Sequence, residues 1–379
     1  MAATAERRHT HRVDVRTVGV EEEFLLVDPV SGYVRPTAPA VLRHGHRSDP
    51  TKPEEGGHEA ELMREQVETG TAARTSMSEL HGELLALRRD LAAAAEDEGV
   101  RLLSSGTSPL PVRPTTTTNA RYQAMTEAYG LTAREQLTCG CHVHVAVSTR
   151  EEGVAALDRI RPWLAPLLAL SVNSPFWQGE DTSYASYRAR VMGRWPSSGP
   201  TDVFGSADSY DDTVESLIAS GALLDSGMVY FEARLSAKYP TLEIRSADAC
   251  RTAEDAALVA ALCRGLVETA VAAWQRDEPP RPVRTELLRM ANWRAARSGL
   301  DGDLVSLLER RPVAAKQLLD ALVDHVADAL EAYGDLDFVR DQLVRLQERG
   351  TGAALQRRAL ERDGSLSAVV ADAVAATVS

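Results

Sequence analysis

The segment VGVEEEFLLVD, from Val18 to Asp28, sets Glu21, Glu22 and Glu23 side by side in what otherwise reads as a buried β-strand. Strand side chains alternate between faces, so Glu21 and Glu23 share one face and Glu22 joins Val20 and Phe24 on the other. Two carboxylates on one face repel each other, and uncompensated burial raises their pKa values or breaks the strand. Two arrangements relieve this. The strand lies at an exposed edge with solvated glutamates, or a divalent cation such as Mg²⁺, which takes carboxylate oxygens as ligands, sits between them. On this division Glu22 is expected to pair with a basic residue or meet solvent, and to tolerate substitution better than its neighbours.

Two further segments carry inward-capable carboxylates. AELMREQVETGT holds Glu61, Glu65 and Glu68. Glu61 lies seven residues before Glu68, on the opposite face of a straight strand, so a bend or loop must intervene if both serve one site. TLEIRSAD sets Thr241, Glu243 and Arg245 on one face and Leu242 and Ile244 on the other. Glu243 beside Arg245 fits a plain ion pair, yet carboxylates on three strands fit a multi-metal site inside a sheet. CGCHVHVAV suggests zinc, but alternation puts Cys139 and Cys141 on one face and His142 and His144 on the other. Four ligands so divided do not close a tetrahedron without a bulge. The cysteines read as small buried residues, and the histidines either face the cavity of the glutamates or are satisfied elsewhere.

The chain has 379 residues, enough for one large domain or two. Its net charge of −13 argues against a nucleic-acid partner and leaves room for a nucleotide held by local cations. Four cysteines do not make a disulfide framework, so a reducing, cytoplasmic setting is expected. MAATAERRHTHRVDV lacks the apolar core of a secretory signal, and residues 1–14 are expected to be disordered. No apolar run is expected to reach the roughly 20 residues of a membrane span.

Strands are predicted in TVGVEEEFLLVD, AELMREQVET, RLLSSGTSP, GCHVHVAV and VYFEARLSAKYPTLEIRSAD. Ser76 to Glu79 fits a capping box ahead of the stripe Leu80, Leu84, Leu87 and Leu91. Thr252 opens a second helix, and a third covers 151–172, bent at Pro162 and Pro166. From about residue 285 the chain reads as helix almost to the end, DLVSLLERR (303–311) included, after a candidate linker RDEPPRPVRT. His44–Ala60 and Asn173–Pro200 read as long loops of the kind that often carry function. Without regular βαβ alternation, the expected class is α+β with a mostly antiparallel sheet, as a single catalytic domain over 15–379.

There is no P-loop, no dinucleotide-binding glycine turn, no nucleophile elbow and no H-E-x-x-H. Instead VGVEEEFLLVD, ELMREQVETGT, CGCHVHVAV, NSPFWQGEDTSYASYR, TLEIRSAD and NWRAARSGL occur in an order that resembles the YbdK-type carboxylate-amine ligases, the glutamate–cysteine ligase type 2 family. The resemblance spans about Thr17 to Leu300. It implies a curved antiparallel sheet forming a funnel with helices outside, related to the glutamine synthetase superfamily. It also implies an ATP- and Mg²⁺-dependent enzyme, with Mn²⁺ as an alternative ion. Such an enzyme joins glutamate, or a similar acid, to an amine such as cysteine to give γ-glutamylcysteine.

Carried over by position, Glu21, Glu23, Glu61, Glu68 and Glu243 become metal ligands. Arg245 and Arg188 become catalytic cations, and His142 and His144 lie near nucleotide or metal. Asp181, Tyr184, Ser186, Asn292, Arg294 and Arg297 become nucleotide or substrate contacts. The superfamily often assembles, so a homo-oligomer is an open expectation. Two alternatives of other classes also stay open: an ATP- or amino-acid-binding protein without turnover, and a metal-dependent hydrolase.

Overall fold

The computed structural model describes residues 15–45 and 57–379. The expectation for residues 1–14 and most of the polar segment His44–Ala60 lie outside the described residues. The strands are β1 (Val18–Val27), β2 (Gly57–Ala60), β3 (Gln66–Gly70), β4 (Arg101–Leu103), β5 (Gly140–Ala146), β6 (Phe176–Trp177), β7 (Glu180–Asp181), β8 (Ala233–Leu235), β9 (Thr241–Asp248), β10 (Asp303–Ser306) and β11 (Arg311–Ala314). The main sheet runs β2-β3-β1-β5-β9-β8, with β4 also pairing β1, and every one of these pairings is antiparallel. The sheet is open rather than closed, and helices cover one face. The α+β expectation therefore holds.

The sheet faces differ because the strands alternate. Val18, Val20, Cys139, Cys141, Val143, Val145, Leu242 and Ile244 enter one continuous apolar core with the helix Ala253–Gln275. That helix is long and apolar enough to cross a membrane by length and composition, contrary to the sequence expectation. Burial inside the protein covers 78% of its most apolar window, so here it serves as a core helix. The Ser76 hydroxyl accepts from the Glu79 N–H and caps the helix Met77–Asp97, while Leu80, Leu84 and Leu91 are buried along it. Pro162 falls in a 3₁₀ turn, Arg161–Trp163, that separates the helices Arg150–Ile160 and Leu164–Ser171.

One C-terminal expectation fails. DLVSLLERR is not helical but the β10–β11 hairpin, with Leu304 opposite Val313 and Arg310 in the turn at a φ of 55°. Leu304, Leu307 and Leu308 have the i, i+3, i+4 spacing of a helix, but Leu307 and Leu308 fall in the turn and packing decides: Leu304, Ser306 and Val313 are buried against the helix Thr285–Ser298. RDEPPRPVRT forms the connection between that helix and Ala253–Gln275.

Candidate active site

The sheet face away from the core forms the floor of a cavity of about 620 Å³. Strand register assembles the floor. Glu23 of β1 lies opposite Glu68 of β3, and Glu21 opposite His142 of β5. His144 lies opposite Glu243 of β9, and Glu243 opposite Arg234 of β8. Cross-strand neighbours on one face stand about 5 Å apart, so the pairings make a continuous charged row across five strands. Against β5, the pair Arg245 and Ser246 of β9 faces the single residue His142. This bulge keeps Arg245 on the cavity side beside the imidazole. Glu61 joins the row because β2 ends at Ala60 and the chain turns before β3 begins at Gln66. That turn is the bend its spacing required.

The row is electrostatically uneven. Burial and the neighbouring Glu61 raise Glu23 to about 8, despite Arg188, the Gly140 N–H donating at 2.5 Å and Arg245. Burial, Glu61, Glu21 and Glu23 together push Glu68 well above the usual carboxylate range. Glu21 goes the other way: burial raises it, but the rings of His142 and His144, at 3.7 and 3.3 Å, hold it below. Burial and Arg245 lower His142 to about 4, so that ring is neutral near pH 7. Burial also raises Glu243, yet Arg245 and Arg234 outweigh it and leave Glu243 below the ordinary value. Arg234 grips it at 2.7 and 3.1 Å, and Arg245 contacts the same carboxylate.

Glu21, His142 and Glu243 bring ligand atoms within 4.8 Å of one another, and so do Glu23, Glu68 and His142. Oxygen-rich donors with one imidazole suit Mg²⁺ or Mn²⁺. The upward shifts of Glu23 and Glu68 mark where a cation would relieve charge, so the donors fit the expected metal. The zinc reading of CGCHVHVAV gains nothing, because Cys139 and Cys141 are buried in the apolar core behind the sheet.

Arg188 also reaches the cavity, from the start of the short helix Arg188–Met192. Its guanidinium donates to the Arg245 carbonyl at 3.3 Å and lies 3.9 Å from Asp248.

The structure does not bring the other expected contacts to the cavity. Asp181 forms a two-pronged pair with Arg357. The hydroxyl of Tyr184 accepts from the Trp293 indole, and its ring lies under Arg297. Ser186 donates to the buried Asp248 at 2.7 Å. Asn292 donates to Glu232, and Arg294 to the carbonyl of Asp303. These groups brace the loop Asn173–Pro200 and the helix Thr285–Ser298 instead.

Sequence reasoning also missed cavity residues, chiefly Arg234, Lys238, Arg121 and Tyr230. Arg234 lies in VYFEARLSAKYPTLEIRSAD, which was expected as one strand; the structure divides it into β8 and β9, and the hairpin pairing sets Arg234 opposite Glu243.

The chain is 50% identical over 363 residues to a Streptomyces avermitilis protein provisionally named glutamate–cysteine ligase 2-1, covering 96% of this chain and 99% of that one. It is 52% identical over 365 residues to a Frankia alni protein provisionally named glutamate–cysteine ligase 2-2, covering 94% and 95%. Among solved structures, a Francisella tularensis glutamate–cysteine ligase in complex with AMP superposes with a TM-score of 0.68 at 14% identity, covering 96% of this chain and 88% of that one. A bifunctional glutathione synthetase from Pasteurella multocida gives 0.67 at 16% identity over 96% of this chain, which spans about half (52%) of that one. At such identities the two structures speak to the fold alone. The family match and these relatives define an ATP-dependent carboxylate-amine ligase. The chain belongs to the glutamate-cysteine ligase family 2, whose profile matches residues 17–372.

Proposed function

We propose that this protein uses ATP to phosphorylate a carboxylate of glutamate and passes the activated acyl group to an amine such as cysteine, giving γ-glutamylcysteine, ADP and phosphate. The carrying observation is one cavity that combines carboxylates short of counter-charge with the arginines Arg188, Arg234 and Arg245 beside them.

The chemistry requires that combination. A carboxylate is a poor electrophile until one of its oxygens bonds the γ-phosphorus and ADP departs. The amine nitrogen then attacks the acyl carbon, loses a proton, and phosphate leaves with that oxygen. Bringing a carboxylate to a triphosphate is opposed by charge. Divalent ions bound by Glu21, Glu23, Glu61, Glu68, Glu243 and His142 would neutralise the phosphate oxygens. Arg188 and Arg245 would stabilise the charge of the transferring phosphoryl group, with Arg234 keeping Glu243 in place when Arg245 turns to phosphate. The His144 ring is fixed by its Nδ1 contact with the Thr241 hydroxyl at 2.9 Å, which leaves its Nε2 3.3 Å from the Glu21 carboxylate.

The names of the relatives support cysteine as the amine. A coupled ADP-release assay with glutamate and a panel of amines tests the reading. Release should need ATP, a divalent cation, the acid and at least one amine together. ADP binding without turnover for any pair, or hydrolysis without ATP, would overturn it.

A further inference from the structure

We propose that Gly140 is a positioning residue for this reaction: the side chain it lacks is the space through which Arg188 reaches the acidic floor. The inference rests on the function proposed above and extends it to a residue that holds no ligand itself.

Gly140 opens β5, is fully buried, and lies opposite Asp248 in the β5–β9 register. The Arg188 guanidinium crosses the strand pair at this position. A Cβ added at Gly140 would stand 2.3 Å from Arg188 Nη2, 3.0 Å from its Cζ and 2.9 Å from His142 Nε2. Its φ is not in the left-handed region, so the requirement is for space and not for a conformation that glycine favours. The same residue donates its N–H to Glu23. Three functional groups (Glu23, His142 and Arg188) therefore meet at one glycine.

The backbone of Arg188 is pinned, although its guanidinium can turn. Its backbone N–H donates to the Ser174 hydroxyl at 3.1 Å, and that hydroxyl donates to Asp248 at 2.7 Å. Asp248 is wholly buried and also takes the Asn173 N–H and the Ser186 hydroxyl. This explains how Ser186 bears on the site without lining it: it fixes Asp248, which stands behind Arg188. A methyl group at Gly140 would collide with the far end of a long side chain, so the fold can survive by turning the guanidinium aside. What is lost is its alignment with Glu23 and His142.

The test is a double-mutant cycle of Gly140→Ala and Arg188→Ala, read by ligand-free thermal unfolding, by calorimetric affinity for ADP with Mn²⁺, and by steady-state kinetics. Gly140→Ala should weaken ADP–Mn²⁺ binding about tenfold and lower kcat, with KM for the amine unchanged, since contacting positions couple and distant ones add. In the Arg188→Ala background most of its effect on melting and on affinity should disappear. Additive effects in the two backgrounds, or unchanged affinity in Gly140→Ala, would overturn the inference. Should the wild type neither bind ADP–Mn²⁺ nor release ADP, the proposed function fails, and the unfolding cycle alone still decides whether Gly140 and Arg188 are coupled.

Discussion

Glu68→Gln is expected to raise the melting temperature of the metal-free protein and to cripple ATP-dependent turnover. Glu68 faces Glu23 across the β1–β3 ladder and is hydrogen-bonded to Glu61. Burial raises its pKa first and the surrounding carboxylates raise it further, with no basic group among the main causes. The sign follows from proton linkage. A carboxyl whose folded pKa exceeds its unfolded one binds more protons when folded. Stability is then lost as pH rises from the unfolded pKa through the folded one. A glutamine removes that penalty, so the gain should be larger at pH 8 than at pH 6. Relief of such active-site strain commonly yields about 0.5–2 kcal/mol. Turnover should fall on the order of 10³-fold, because a ligand to the metal that neutralises the phosphates is gone. Scanning calorimetry in chelator and the ADP assay measure the two halves. A lower melting temperature, or turnover near the wild-type rate, would contradict the assignment.

The second large effect concerns the middle glutamate. Glu22 was expected to pair with a basic residue or to meet solvent, and it pairs: Arg88 grips it at 2.9 and 2.6 Å, with both side chains fully buried. The expected tolerance to substitution does not follow, because burial reverses it. Arg88 also donates to the carbonyls of Cys250, Arg251 and Thr377, tying β1 to the end of β9 and to the helix Leu366–Thr377. Removing one partner of a buried pair leaves an uncompensated charge, at a cost of about 3–5 kcal/mol. Glu22→Gln should therefore lower the melting temperature by roughly 5–10 °C. Glu22→Met with Arg88→Met should recover much of that loss. Equal losses in the single and double variants would show that the carbonyl contacts, and not the charge pair, hold this region.

Alternation alone made the floor of the site readable. Glu21, Glu23, His142, His144, Glu243 and Arg245 all fall where a two-residue period puts them, because buried strands allow no slip of register. Glu61 was readable as needing a bend, though not where the bend would lie. Asp181 and Ser186 belong to a polar, aromatic loop whose composition suits ligand binding and bracing equally. Only packing shows that they hold Arg357 and Asp248. Arg234 reaches Glu243 through a hairpin pairing that a linear reading does not register. The β10–β11 hairpin was misread because Leu304, Leu307 and Leu308 have helical spacing, while two of them belong to the turn.

The central claim is that the acid is activated by phosphorylation before the amine attacks. The direct measurement uses glutamate labelled with ¹⁸O in its side-chain carboxylate, with ATP, Mg²⁺ and an amine that supports ADP release. Activation by phosphorylation puts one ¹⁸O atom in each phosphate formed, because the bridging oxygen of the acyl phosphate leaves with phosphorus. Phosphate free of label, formed alongside the amide, would contradict it.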